Sequence, residues 1–339
     1  MTLITYPTRV HFADDVVEMA LHSELQQGGY KTALLICDKS LADTEFYERV
    51  RGGLPSRIKP SFLCLEEHSA LSGVAKSLPG LYDGEQLDAI IAFGSVRALE
   101  MGRKARRALQ DATGHRPMLY AIPGVDGLPD PCTRQIESWR NGLPSVLIFD
   151  PALILSTTSV QTIPSAIVSL VRCIESYLSE AYNPPADGMA LDGLIRAVAV
   201  LGASEFGSDL TIRRELMAAC LNAALAQEKG IGPTQLLSRA LASECQTVKT
   251  ADAARLLLPG IIKVTEHDSR KEAILQQIIA PEAPDLDQAL REFLSRIPLS
   301  SRLSEMGAVP QNLQHAIQAI SGRNDITETA AVAALEDVY

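Results

Sequence analysis

Tryptophan occurs once in this chain of 339 residues, at Trp139, and aromatic residues make up only 5% of it. Cation excess is also missing: the net charge is -10, which argues against a nucleic-acid partner or an anionic membrane surface. No run of about 18 uninterrupted apolar residues exists, so no transmembrane helix is expected. The start, Met1-Thr-Leu-Ile-Thr-Tyr-Pro7, has neither a basic n-region nor an apolar h-region, so no signal peptide is expected. The six cysteines (Cys37, Cys64, Cys132, Cys173, Cys220 and Cys245) are scattered and form no CxxC pair. Several lie in apolar runs, where cysteine behaves as a small buried hydrophobe, and a reduced, cytoplasmic setting is the natural expectation. Histidine is scarce too. His11, His22, His68 and His115 fall in the first half, with His267 and His315 far apart in the second, and no HxxxH or ExxH pair occurs. A catalytic zinc or iron site in a helical domain needs three or four ligands at such spacings, so no metal is expected.

What is present is ordinary globular composition, 46% hydrophobic and 21% charged, in a length that suits two domains. The first part alternates strand-like and helix-like patterns. Arg9–Phe12 reads as a strand, Ala13 to Gln27 as a helix, and apolar runs follow at 31–37, 61–65, 87–93, 117–122 and 145–149. Continuous apolar runs mark strands buried on both faces, and their alternation with helices implies βαβ units. From Pro164 onward helical periodicity dominates, with breaks at 183–185, 207–208, 230–233, 259–260 and 281–284; Thr162 and Ser165 flank Pro164 as a helix start. The expected fold is an α/β N-terminal domain with a doubly wound, mostly parallel sheet (1–155), followed by an all-α helical domain (156–339). The basic run Arg103-Lys104-Ala-Arg106-Arg107 reads as the solvated end of a helix rather than a binding patch.

Three places could carry chemistry. The strand-to-helix junction at Gly94 and Ser95 would aim backbone N–H groups and a helix dipole at a phosphate, although one glycine makes a weak fingerprint and a plain turn reads equally well. Asp38, at the carboxyl end of a strand, either accepts hydrogen bonds from ribose hydroxyls or caps the next helix. Asp126 and Asp130, in the turn-rich segment 121–131, either line a cleft or cap local turns.

Together the segments resemble the iron-containing alcohol dehydrogenase family. The residues that carry the resemblance are Thr8-Arg-Val-His-Phe12, Ala33-Leu-Leu-Ile-Cys-Asp38, Asp88-Ala-Ile-Ile-Ala-Phe-Gly94, Ala121-Ile-Pro123, Ile148-Phe-Asp-Pro-Ala-Leu153, Ile174-Glu-Ser-Tyr-Leu178 and Leu256-Leu-Leu-Pro259. Their order spans nearly the whole chain, and the stretch from Arg172 to Pro185 is similar to the maleylacetate reductase branch. The resemblance implies a dinucleotide-binding domain, a helical domain and an active site in the cleft between them. It also implies a metal-binding Asp and His one helical turn apart, where this chain has Val168 and Arg172, and two further histidines near the places of Arg239 and Thr250. The family's glycine-rich loop has become Gly94-Ser95-Val96-Arg97, and its second phosphate loop Gly124-Val-Asp-Gly-Leu-Pro-Asp-Pro131.

From these residues the first expectation is a metal-independent, NAD(H)-dependent reductase of a small carbonyl compound such as a keto acid. Arg172 and Arg239 would polarise or anchor the substrate, because a guanidinium fork pairs bidentately with a carboxylate. Asp38 would hold the ribose, and Gly94, Ser95 and Asp126 would line the rest of the cofactor site. The bland alternative sends each arginine to solvent or to an acid such as Glu175 or Glu244. The second expectation is a family member that has lost redox chemistry and serves as a non-redox enzyme or as a binding or assembly partner. A dehydroquinate synthase-like reaction ranks last. Partners are expected to be a small-molecule substrate, with no nucleic acid and no membrane, and a homodimer is compatible with the reading.

Overall fold

The computed structural model describes residues 8–67, 69–82, 86–124, 127–128, 143–155, 157–203, 209–297, 299–300, 302–320 and 326–339. Asp126, Asp130, Cys132, Trp139 and His68 lie outside the described residues. The chain divides into two compact units, one of residues 5–161 with 207–217, the other of 162–206 with 218–339.

The first unit is built on six strands: β1 (Arg9–Phe12), β2 (Thr32–Asp38), β3 (Lys59–Leu65), β4 (Ala89–Gly94), β5 (Met118–Pro123) and β6 (Val146–Phe149). They form one sheet in the order β1-β6-β5-β4-β2-β3, and every neighbouring pair is parallel. All residues of β4 and β6 are buried, as their unbroken apolar sequences demand of interior parallel strands. Strand β3 is an edge, with Phe62 and Cys64 exposed and Leu65 buried. Helices α1 (Val17–Gln27), α2 (Glu45–Gly52), α3 (Leu71–Leu81) and α4 (Val96–Thr113) belong to this unit.

Helix α1 begins later than the apolar pattern from Ala13 suggests. Asp15 adopts a left-handed conformation (φ 53°), and the carboxylate of Asp150, just after β6, accepts hydrogen bonds from Asp15 N (2.8 Å) and Val17 N (3.1 Å). The helix is therefore started by an acid from a distant strand end rather than by its own residues. Helix α4 runs on to Thr113, where Gly114 (φ 73°) closes it. The basic run thus lies inside α4, not at its end, and Arg106 is buried, its Nη2 donating to Leu143 O at 2.8 Å.

In the rest of the chain, α5 (Ser159–Leu178), α6 (Pro184–Gly202), α7 (Leu210–Ala226), α8 (Pro233–Glu244), α9 (Thr250–Val264), α10 (Ser269–Ile279), α11 (Leu286–Ser295), α12 (Pro310–Ile320) and α13 (Glu328–Val338) follow one another. Two apolar cores hold them. One gathers Leu170, Ile174, Leu194, Leu258, Leu290 and Phe293, the other Leu237, Leu257, Leu303, Ile317 and Leu335. Two proline punctuations read differently here. Pro164 lies inside α5, near enough to its start that little of the hydrogen-bond ladder is lost. Pro259 and Gly260 do not break α9; a Cβ at Gly260 would touch Ala334 Cα at 3.4 Å, so the small residue lets α13 lie close against a continuous helix. No helix of the described residues is long and apolar enough to cross a membrane.

Candidate functional site

The crossovers in the sheet define a site before any side chain is considered. From β2 the chain moves outward through α2 to β3, whereas from β4 it moves the other way through α4 to β5. Between the carboxyl ends of β2 and β4 the two connections diverge, and in open α/β sheets ligands bind at such a switch point. Asp38 ends β2 and Gly94 ends β4, with Ser95 directly after it.

Three of the four cofactor residues expected from the sequence meet there. Ser95 donates its backbone N–H to Asp38 Oδ2 and its hydroxyl to Asp38 Oδ1, both at 2.7 Å. Ser95 is also the N-cap of α4, its Oγ accepting from Ala98 N at 3.4 Å. Gly94 is required: its φ is 118°, and a Cβ there would fall 2.5 Å from Asp38 Oδ2 and 2.8 Å from Leu41 Cδ1. Asp38 is at the N-cap position of the short turn 39–41 but makes no side-chain cap bond there; its carboxylate bridges across to β4 instead. Arg97 turns aside, its Nη2 donating to Ser69 O (3.0 Å) and Glu66 O (3.3 Å). The first-turn N–H groups of Val96 and Arg97 are left at the helix N-terminus, where an anion is favoured. The segment after β5 seals the turn from the side. Gly124 N donates to Gly94 O (2.9 Å), and a Cβ on Gly127 would come within 2.2 Å of that same oxygen. Neither Gly124 nor Gly127 stood out from the sequence as close-packing positions, since glycine among prolines and aspartates reads only as a turn.

Arg172 and Arg239 lie in the helical unit, on α5 and α8. Arg172 is buried, and Cys173 and Cys220 both feel its charge; Arg239 is half-buried. Val168, one turn before Arg172, packs against the apolar core, and Thr250 opens α9. A valine and a guanidinium in successive turns are not donors for a dication, so the residues present do not fit the metal that the resemblance implies. Among the described residues no three His, Cys, Asp or Glu side chains gather as ligands.

The acids considered as arginine partners are engaged elsewhere. Glu244 meets His315 (3.3 Å). Glu175, on α5, is buried and closes the N-terminus of α8: its carboxylate accepts from Thr234 N (2.5 Å), Gln235 Nε2 (3.0 Å) and Gln235 N (3.4 Å). It lies flat on Gly232, where a Cβ would stand 2.3 Å from its Cδ. Glu175 thereby couples the helix bearing Arg172 to the helix bearing Arg239. A polar stripe at Thr162, Ser165, Ser169, Arg172 and Ser176, all buried, runs down the same helix, with Ser169 Oγ donating to Ser165 O (2.9 Å) and Cys220 Sγ (3.3 Å). The three-and-four spacing of small hydroxyls in an otherwise apolar helix was the sequence signal for it.

Burial raises the carboxyl of Glu175 above its ordinary value of 4.5, partly offset by the hydrogen bonds from Gln235 and Thr234. A raised acid gives its full contribution to stability below 4.5 and loses it as pH climbs through the folded-state value, because the unfolded chain releases the proton first. Glu175→Gln is therefore expected to flatten the pH dependence of unfolding above 4.5, measured by urea titration, whereas Glu175→Ala is expected to cost about 3 kcal/mol by stranding the α8 donors. Equal pH slopes in wild type and Glu175→Gln would count against this account.

The all-parallel sheet continued by a helical unit is similar in fold to an iron-containing alcohol dehydrogenase of Thermotoga maritima, with TM-score 0.78 at 16% identity over 99% of each chain. No family model matches the chain. In sequence it is similar to a 4-hydroxybutyrate dehydrogenase of Cupriavidus necator, 23% identical over 91% of this chain and 90% of that protein. In structure it is similar to the maleylacetate reductase of Rhizobium sp. strain MTP-10005, with TM-score 0.82 at 18% identity over 100% of this chain and 97% of that one. It is equally similar to the sulfoacetaldehyde reductase of Bifidobacterium kashiwanohense in complex with NAD+, with TM-score 0.82 at 15% identity over 100% and 99% of the two chains. The resemblance to iron-containing alcohol dehydrogenases drawn from the sequence is thus met in the fold, with maleylacetate reductases among the solved structures it is similar to.

Proposed function

We propose that this protein is a reductase of a small carbonyl compound that uses NAD(H) and works without a bound metal. The observation that carries the reading is the meeting of Asp38, Gly94 and Ser95 at the switch point of the parallel sheet. A structural relative holds NAD+, and the sequence relative is a dehydrogenase. The dinucleotide would supply the hydride, and the protein need only bind, orient and stabilise charge. Asp38, with lone pairs beyond the two that Ser95 engages, would accept hydrogen bonds from the ribose hydroxyls and reject a 2′-phosphate. The N-terminus of α4 would take the pyrophosphate, and Asp126 would line the remainder. Arg172 and Arg239 would replace a metal as the source of positive charge, one at the carbonyl oxygen and one at a substrate carboxylate. Guanidinium groups suit a keto acid better than an uncharged aldehyde.

One observation favours the second reading, a non-redox relative: Asp38 takes the backbone N–H of Ser95, a donor that a pyrophosphate would otherwise use. Titration with NADH followed by nicotinamide fluorescence separates the two. Saturable binding at micromolar to millimolar cofactor, with turnover of a keto acid that survives a chelator, is expected of the reductase. No binding up to millimolar NADH would overturn it.

A further inference from the structure

Strands β2 and β3 pair in a register that sets Cys37 directly beside Cys64. Parallel neighbours lie about 4.8 Å apart, inside the Cα separation that a disulfide bridges. The two sulfurs are already 3.9 Å apart, on the same face of the sheet. Their exposure is opposite: Cys64, on the edge strand, is open to solvent, while Cys37 is sealed in the core at 1%. Tyr47 belongs to the apolar core that holds Cys37, and its ring lies 6.4 Å from that of Phe62, with the Arg51 guanidinium 5.8 Å and 5.6 Å from the two centres. Phe62 stands two residues before Cys64, on the same face of β3.

We propose that Cys37 and Cys64 are an oxidative modification site, in which a hydroperoxide converts the two thiols to a reversible disulfide between adjacent parallel strands. Cys64 meets the oxidant first. Its sulfur bonds to one peroxide oxygen, the O–O bond breaks, and water (or an alcohol, from an organic hydroperoxide) leaves, giving a sulfenic acid. The sulfur of Cys37 then attacks the Cys64 sulfur. The S–S bond forms, the S–O bond breaks, and the hydroxyl leaves as water with the Cys37 proton. Two thiols lose two electrons in all, and the hydroperoxide gains them. Cys37 is suited to the second step only. Burial keeps it from solution oxidants and, with Cys64 beside it, pushes its thiol up to about 12, while its sulfur lies 3.9 Å from that of Cys64, within reach of a sulfenic acid formed there. The product would fasten the edge strand to β2 one residue before Asp38, next to the ion pair of Lys39 with Glu66. The site stands on these two sulfurs alone and does not depend on the cofactor reading.

The folded full-length protein treated with hydrogen peroxide, alkylated under denaturing conditions and mapped by peptide mass spectrometry tests this. The expected result is a Cys37 peptide joined to the Cys64 peptide, two hydrogens lighter than their sum and separated by dithiothreitol. Cys37→Ser is expected to halt at the Cys64 sulfenic acid, trapped as a dimedone adduct, and Cys64→Ser to give neither product while Cys37 remains alkylatable. Wild-type Cys64 left unoxidised, carried to sulfinic acid beside an intact Cys37 thiol, or joined to Cys132 would overturn the proposal.

Discussion

Alanine in place of Gly94 is expected to raise the Kd for NADH at least about 30-fold, roughly 2 kcal/mol, and to lower unfolding stability by a similar amount. Two causes act together. A backbone at φ 118° is one that a residue with a Cβ adopts only under strain, and that Cβ would sit 2.5 Å from Asp38 Oδ2. The carboxylate would have to leave Ser95, and with it would go the arrangement that joins the ends of β2 and β4. Gly124 offers the matched control. Its Cβ would meet Gly94 Cα at 3.5 Å, ordinary contact, so Gly124→Ala is expected to change stability by no more than about 0.5 kcal/mol. Gly127→Ala should instead resemble Gly94→Ala, since the obstacle 2.2 Å away is a backbone oxygen that cannot swing aside. Fluorescence titration and thermal unfolding of the three variants give the comparison. Wild-type affinity in Gly94→Ala would show that the switch point does not bind the dinucleotide.

Asp150→Ala is expected to cost about 3–5 kcal/mol, a large share of a typical domain's stability, measured as a lowered urea midpoint at unchanged slope. This wholly buried carboxylate accepts from Asp15 N (2.8 Å), Val17 N (3.1 Å) and Ala152 N (3.1 Å), and faces Arg49 Nη2 at 3.4 Å. Removal strands three backbone donors in the start of α1 and the turn after β6, and leaves Arg49 with Glu18 and Asp15. Asp150→Asn keeps one acceptor oxygen for Asp15 N and Ala152 N but turns an amide towards Val17 N and Arg49, so it should cost less than alanine without restoring wild-type stability. An alanine variant within about 1 kcal/mol of wild type would mean that water replaces the carboxylate.

The parts of this molecule readable in one dimension are those set by local rules. Continuous apolar runs at β2, β4 and β6 disclose interior parallel strands, and Asn183-Pro-Pro185 and Gly232-Pro233 disclose where α6 and α8 begin. The rest depends on partners remote in sequence. The pattern at Ala13 offers a helix, but Asp150, more than a hundred residues on, decides that it starts at Val17. Pro259 looks like a stop because the proline is visible in the sequence and the close approach of Ala334 is not. In the candidate site, strand ends nominate Asp38, Gly94 and Ser95, yet the hydrogen bonds that join them are a property of strand order. In the sequence Glu175 is only a charge for an arginine to find, and its attachment to α8 needs the two helices side by side.

Residues 207–217 belong with the α/β unit although 45 residues of the other unit, 162–206, separate them from it. There Arg213 is fully buried and donates to Thr157 O at 2.5 Å, and Arg214 pairs with Asp14. On a ribosome, the sheet can zip from β2 to β5 while β1 waits for β6, whose Val146 pairs with Arg9. Even then the unit is short of its last piece until Met217 has been made. Closure over such sequence distances is slow, so the nascent chain must carry unfinished helical sequence while its first domain completes. For the same reason, an excised fragment ending at 161 would lack material that its own fold includes.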